Sequence, residues 1–232
     1  MTRQFPLDLR WSPHQRLDAF HPGANAAALR EVEALATAPR HPWVFLQGAG
    51  GTGKSHLLIG ACRAAAGGGR GARYVSLSSL PDTRADAIAG IDTEGLVAID
   101  DVQALAGDRE GERALFDLFN RAASASAAML FAANASPAEL GLRLPDLVSR
   151  LSSCTQCPLH ALDDVGRRAM LRLLARRMGL RLDDEVLDWW FARQPRDPAS
   201  LIALLRRIDR AALAAQRRVT IPFLRELLAS EG

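Results

Sequence analysis

Cysteine is scarce in this chain, with three in 232 residues. So few thiols in a chain of this length do not make a disulfide framework, and a reducing cytoplasm is the expected compartment. Long apolar runs are missing too. None approaches the roughly 20 residues a membrane-spanning helix needs, so no membrane association is expected. The opening MTRQFPLDLRW lacks the uninterrupted apolar core of a secretory signal. Strong charge of one sign is also absent. Lys and Arg total 29 against 26 Asp and Glu, a net +3, and a balance this close to neutral does not require a polyanion as direct partner. What remains is ordinary for a soluble protein, 48% hydrophobic and 24% charged. The length suits one α/β domain plus a small second one.

The sharpest positive signal is GAGGTGKS at 48–55, which fits the phosphate-binding pattern G-x-x-x-x-G-K-[ST]. An apolar run, WVFLQ, precedes it and a helical pattern, HLLIGACRAAA, follows. Strand, glycine turn and helix are the context the motif needs. Gly48, Gly50, Gly51 and Gly53 let backbone N–H groups crowd a phosphate where side chains would block approach. The helix opening near Lys54 adds its positive end. Lys54 is expected to reach the β- and γ-phosphates and Ser55 to ligate Mg²⁺. Thr52 and His56, inside and directly after the loop, complete the residues expected to touch nucleotide.

A second acidic motif supports this. LVAIDD at 96–101 is a buried strand with carboxylates at its C-terminal end, where ligand sites of α/β sheets lie. Asp100 is expected to hold Mg²⁺, directly or through water, and Asp101 to polarise an attacking water. Asn134, ending the apolar run LFAAN, is placed to sense a γ-phosphate or that water. Arg150 and Arg196 are weighed because an arginine aimed at a γ-phosphate speeds transfer by roughly 10³–10⁵; nothing in composition singles them out.

Strands are expected at 43–47, 73–77, 96–100, 128–134 and 153–159, with helical patterns between them, including 25–35, 56–66 and 112–125. Strictly alternating strands and helices imply a doubly wound parallel five-stranded sheet. From residue 161 the pattern is purely helical. Asp163 or Asp164, Asp183 or Asp184, and Asp197 with Pro198 open three successive helices, and a last helix ends near Ala229. The expected organisation is an arm at 1–14, a nucleotide-binding core at 15–160 and a helical lid at 161–232. Cys154 and Cys157, three apart on a strand, would point to opposite faces and hold no metal together. One of Trp189 and Trp190 is expected inside the lid. Arg206, Arg207, Arg210, Arg217 and Arg218 form a basic stretch, read either as a solvated face or as a contact with a neighbouring nucleotide site or DNA.

These motifs, in this order, resemble the AAA+ ATPases, and more closely the DnaA/Hda family of replication proteins. The resemblance is carried by GAGGTGKSHLL (48–58), AIDDVQAL (98–105), FDLFNR (116–121), LPDLVSRL (144–151) and QRRVTIPFLRELL (216–228). Helicase-loader and transposition-helper ATPases usually show Asp-Glu where this chain has Asp100 and Asp101. The resemblance implies an AAA+ core with a helical lid binding ADP or ATP with Mg²⁺. It makes Asn134 sensor 1, Arg150 an arginine finger acting in trans, and Arg196 the sensor 2 arginine. It puts Phe20 and Asn25 on the adenine side. Gln4, Phe5, Leu7 and Leu9 resemble the short peptide by which such proteins dock on the DNA sliding clamp. The implied function is negative control of replication initiation, by stimulating ATP hydrolysis on DnaA while turning over little or no ATP itself. A homo-oligomer is implied as well. Sequence-specific DNA binding is not expected, since no recognition-helix pattern follows Pro222. The alternative is a self-assembling ATPase of helicase-loader type.

Overall fold

The computed structural model describes residues 15–38 and 42–229. Gln4, Phe5, Leu7 and Leu9, with the rest of the expected arm, lie outside the described residues.

Five strands, β1 (Val44–Gln47), β2 (Ala72–Ser76), β3 (Leu96–Asp100), β4 (Ala128–Ala133) and β5 (Thr155–Pro158), form one parallel sheet in the order β2-β3-β4-β1-β5. β3 and β4 are buried at every position. That is why they read as continuous apolar runs rather than alternating ones: a parallel sheet is covered on both faces. Helices α1 (Ala26–Thr37) and α2 (Lys54–Gly67) pack Val32, Leu35, Leu57 and Leu58 against Val44, Leu46, Ala98 and Leu130 on one face. On the other, α3 (Arg84–Ala89), α4 (Arg109–Ser124) and α5 (Pro145–Ser152) bring Ile88, Leu115, Phe119 and Leu147 against Phe45, Ile99 and Phe131.

β3 spans the expected residues and β2 is shifted by one, while β1, β4 and β5 are shorter than the expected 43–47, 128–134 and 153–159. Two short helices, α3 and α5, have little signature in the sequence. α5 follows Leu144, which has no side chain able to cap a helix, so Pro145 at its first position is the start signal that remains.

Four further helices follow among the described residues: α6 (Asp164–Arg177), α7 (Asp184–Phe191), α8 (Pro198–Ala215) and α9 (Ile221–Ala229). Asp163 caps α6 by accepting from the Gly166 N–H at 2.7 Å, and Asp197 caps α8 through Ser200 at 2.9 Å. Their shared core holds Leu171, Leu187, Trp190, Leu201, Leu205 and Ile208. Trp190 is fully buried, while Trp189 is half-buried under the Arg193 guanidinium, 5.0 Å from its ring. Cys154 lies in the core layer on the α4 side and Cys157 in the layer on the α1 side, so the two thiols diverge. Burial pushes Cys154 up to about 12 and, with Glu31 nearby, Cys157 up to about 11, which leaves both thiols protonated and unreactive.

The junction between sheet and helical bundle is held by side chains. Buried Asn25 donates from Nδ2 to the His160 carbonyl at 2.9 Å and accepts at Oδ1 from the His160 N–H at 2.8 Å. Arg177 at the end of α6 reaches back to the Asp18 carboxylate at 3.3 Å. Asn25→Ala removes both bonds at the strand-to-bundle crossing and is expected to cost about 1–3 kcal/mol. Urea unfolding measures that loss, and faster proteolytic nicking next to His160 places it.

Candidate nucleotide-binding site

The glycine-rich loop leaves β1 at the C-terminal edge of the sheet. Gly51 and Gly53 have φ of +77° and +97°, a conformation that excludes ordinary side chains. A Cβ on Gly53 would lie 2.6 Å from Phe20 Cε2, and one on Gly48 2.6 Å from the Leu159 carbonyl. These glycines are therefore demanded by the loop's own path and by its neighbours. Around Gly50 there is nothing within 4 Å of a Cβ position. Thr52 Oγ1 donates to the Ala49 carbonyl at 2.9 Å, and Lys54 Nζ donates to Gly48 O at 2.6 Å and Ala49 O at 2.9 Å. Lys54 is the only lysine in the chain. Burial lowers its pKa, opposed by the charges of Asp100 and Asp101.

Asp100 is completely buried at the end of β3. Its Oδ2 accepts from the Tyr74 hydroxyl at 2.9 Å and its Oδ1 from the Asp101 N–H at 2.9 Å; the Ser55 hydroxyl also bonds to it. Burial raises its pKa, as does the charge of Asp101, while these hydrogen bonds pull the other way. Tyr74, the only tyrosine, is raised by burial and by Asp100.

Asp101 has φ of +60°, a left-handed conformation that aspartate tolerates better than most residues. The turn aims its carboxylate toward the end of β2. There Oδ2 accepts from Ser76 at 2.8 Å and Ser78 at 2.6 Å, and Oδ1 from Gln103 Nε2 at 3.1 Å. Burial raises its pKa, but the bonds from Ser78, Ser76 and Gln103 and the Lys54 charge outweigh that and lower it. Gln103 also accepts the Asn134 N–H at 3.2 Å. Asn134 thus leaves β4, the strand between β3 and β1, and is tied to Asp101 through one glutamine. Tyr74, Ser76, Ser78 and Gln103 were not among the expected site residues. Ser76, Ser78 and Gln103 signal only polarity at or just past strand ends, which any solvated turn shares, and Tyr74 reads as an ordinary residue in the middle of β2.

Beside the loop a cleft opens between sheet and bundle, lined by Phe20, Asn25, Thr52, His56, Met170 and Ile202 among others. The Phe20 ring sits edge-on to His56, centroids 5.5 Å apart. His56 donates from Nε2 to the Arg16 carbonyl at 2.8 Å. Burial lowers its pKa, against the Arg16 carbonyl and the Asp18 charge. Asn25 lines the cleft with its amide committed to His160. Pro198, at the start of α8, lies 3.4 Å from where a Cβ on Gly51 would stand, so the N-terminus of α8 borders the phosphate loop. The exposed Arg196 side chain is committed to partners on the bundle. Its Nε donates to the Phe191 carbonyl at 2.9 Å and its Nη1 pairs with Asp164 at 2.6 Å.

The sheet brings Lys54, Ser55, Asp100, Asp101 and Asn134 to one edge, and the cleft adds Phe20, Asn25 and His56. Arg150 is elsewhere. It lies in the last turn of α5, which leads into the start of β5, at the opposite edge of the sheet. It is exposed, with its guanidinium 5.7 Å from the Phe119 ring.

The residues present fit an adenine nucleotide with Mg²⁺. The loop exposes backbone N–H groups at a helix N-terminus next to one ammonium, and the cleft offers an apolar slot for a base. Ser55 and Asp100 supply neighbouring hard oxygen donors suited to Mg²⁺. The metal, when bound, would neutralise phosphate charge.

Two outcomes test this site. Gly53→Ala meets both a positive φ and the Phe20 ring, and is expected to abolish binding of a fluorescent ADP analogue. Asp100→Asn keeps the hydrogen-bonding shape but removes a carboxylate whose folded pKa is raised. Such a group favours the fold below its folded pKa and disfavours it as pH rises through that value. The variant should therefore melt higher than the parent at pH 8, with the difference shrinking toward acid. Nucleotide binding should meanwhile lose its Mg²⁺ dependence.

A family model for the bacterial DnaA ATPase domain matches residues 12–158, and one for the Hda lid domain matches residues 164–228. A Haemophilus influenzae protein described only as uncharacterized is 34% identical over 229 residues, covering 98% of this chain and 99% of its own. Domain III of the replication initiation protein DnaA from Thermotoga maritima superposes with a TM-score of 0.75 at 22% identity, over 94% of this chain and 97% of that one. AMPPCP-bound DnaA from Aquifex aeolicus gives 0.69 at 24% identity over 85% of this chain, which spans 65% of that chain's length. Sheet order, phosphate loop, acidic strand end and helical lid agree with both family matches: the chain belongs to the DnaA-related AAA+ proteins, with a DnaA-type ATPase core and an Hda-type lid.

Proposed function

We propose that this protein is a negative regulator of replication initiation that stimulates ATP hydrolysis on DnaA in trans. The observation that carries the reading is the place of Arg150. It is exposed at the sheet edge opposite its own phosphate loop. β1 and β5 run four residues each, about 13 Å at 3.3 Å per residue, and this height separates the two edges. An arginine so placed is out of reach of its own nucleotide and available to another subunit's.

In this reading Arg150 enters the site of ATP-bound DnaA and stabilises charge on the transferring γ-phosphoryl. DnaA is left with ADP, and initiation is not repeated early. Docking on the sliding clamp through Gln4, Phe5, Leu7 and Leu9 concentrates the protein where replication is under way. The protein's own ADP or ATP, with Mg²⁺ at Ser55 and Asp100, has a structural task. Nucleotide held by Lys54 and by the α8 end of the lid favours one angle between core and lid, and shifts the population that way. Asp101 bears on this. With both carboxylate oxygens committed to Ser76, Ser78 and Gln103, it is poorly free to polarise water, which supports weak turnover by the protein itself. Self-association and a cytoplasmic location are part of the same proposal, as is the absence of sequence-specific DNA contact.

The test follows decay of ATP bound to DnaA, with clamp loaded on DNA, with and without this protein. Wild type should accelerate the decay. Arg150→Ala should remove most of that acceleration, since an arginine finger is worth roughly 10³–10⁵ in rate. A Gln4/Phe5 double alanine should lose it at low protein concentration. No acceleration by wild type would sink the reading. Turnover by the isolated protein that rises steeply with its own concentration, and needs Arg150, would instead establish a self-assembling ATPase.

A further inference from the structure

Glu112 is a carboxylate where the fold offers no obvious reason for one. It lies in the first turns of α4, is 1% exposed, and is one of few buried charged residues. Its Oε2 accepts two backbone N–H groups, from Arg143 at 2.8 Å and Leu144 at 2.7 Å. Its Oε1 is buried with no hydrogen-bond partner among the described residues. A buried oxygen left unsatisfied is costly. A serine or aspartate at position 144 would cap α5 locally without that cost. A local cap, however, would close the helix end without fastening it to anything. Glu112 reaches across from a different helix, so it fixes where α5 begins relative to α4.

The far end of α5 is registered on the same helix face. Phe119 is two turns beyond Glu112, about 10 Å along α4 at 1.5 Å per residue. Arg150 is six residues beyond Leu144, about 9 Å along α5 by the same rise. The two helices run in the same direction, so Glu112 meets the start of α5 while Phe119 meets Arg150. Phe119 itself cannot tilt freely. It stacks on Phe131 with centroids 6.1 Å apart and planes at 10°, and it meets the Trp43 ring edge-on at 4.4 Å. Trp43 is in turn pinned through Nε1 to the Ala127 carbonyl at 2.9 Å. Leu147 and Leu151, fully buried beneath α5, complete the seat.

We infer that Glu112 is a positioning residue for Arg150: its carboxylate sets the start of α5 so that the guanidinium leaves the Phe119 ring in one fixed direction. The inference rests on the proposed trans action of Arg150 and deepens it. An error of about 1 Å in the placement of a catalytic group can cost on the order of 100-fold in rate, and a short helix held at one end only by packing would permit such an error.

The experiment titrates the protein against ATP-loaded DnaA on clamp and DNA, reading the plateau rate and the half-saturating concentration separately. Glu112→Ala should lower the plateau by on the order of 100-fold, with half-saturation unchanged. Glu112→Gln, which keeps an acceptor oxygen at the same reach, should restore most of it. The Glu112→Ala/Arg150→Ala double variant should be no slower than Arg150→Ala alone. Should Glu112→Ala fail to fold, Glu112→Asp keeps the charge and pulls α5 in by one methylene, and its plateau should also fall. A plateau at the wild-type level in a folded Glu112→Ala or Glu112→Asp, with only half-saturation raised, would mean a purely structural role and overturn the inference while the action of Arg150 stands. A wild-type plateau in Arg150→Ala would overturn the underlying reading itself.

Discussion

Everything that gives this chain a site depends on β1 being hydrogen-bonded as an inner strand, parallel to β4 on one side and β5 on the other. The ladders continue past the strand ends. Gly48 N–H donates to Ala133 O at 3.2 Å and Leu159 N–H to Gln47 O at 2.7 Å, so the phosphate loop starts from a backbone fixed on both flanks. Parallel pairing then forces all five C-terminal ends to one edge. The crossovers return each strand from the opposite edge, which is where α5 and Arg150 are left. One topological constraint thus puts an intact phosphate cradle on one side of the sheet and an exposed arginine on the other.

At the cradle, charge is arranged in layers of commitment. Asp100 is buried and held by hydroxyl and backbone donors, with burial raising its pKa. Asp101, one residue on, is turned out of line by its left-handed backbone and held low by two serines and a glutamine. Neighbouring carboxylates in different surroundings are engaged differently: one meets Ser55 and Tyr74, the other braces the end of β2 and, through Gln103, Asn134. Lys54 faces both as a lone ammonium in a chain whose other basic side chains, histidine aside, are all arginine.

Among the described residues, the contacts that join the helical bundle to this edge include the Asn25 amide on His160, Arg177 on Asp18, and Pro198 beside Gly51. The nucleotide cleft lies within the same junction. A ligand there touches both units at once, so occupancy and relative orientation are physically linked.

The sequence alone determined the fold class, because strands buried on both faces leave continuous apolar runs and phosphate binding leaves a glycine pattern tied to a strand and a helix. It also marked Lys54, Ser55, Asp100 and Asp101, which the sheet gathers at one edge, and the Asp197 cap, which is local; between Asp163 and Asp164 as the cap of α6 only the structure chose. Tertiary structure decided what depends on distant partners. That Asn25 clamps the strand-to-bundle crossing with its amide, that Asp101 is engaged by Ser76 and Ser78, and that Glu112 begins α5 could not be read along the chain. Each is a hydrogen bond between segments 23 to 135 residues apart, and local periodicity carries no information about contacts over that separation. α5 escaped notice for the same reason: the carboxylate that starts it belongs to another helix.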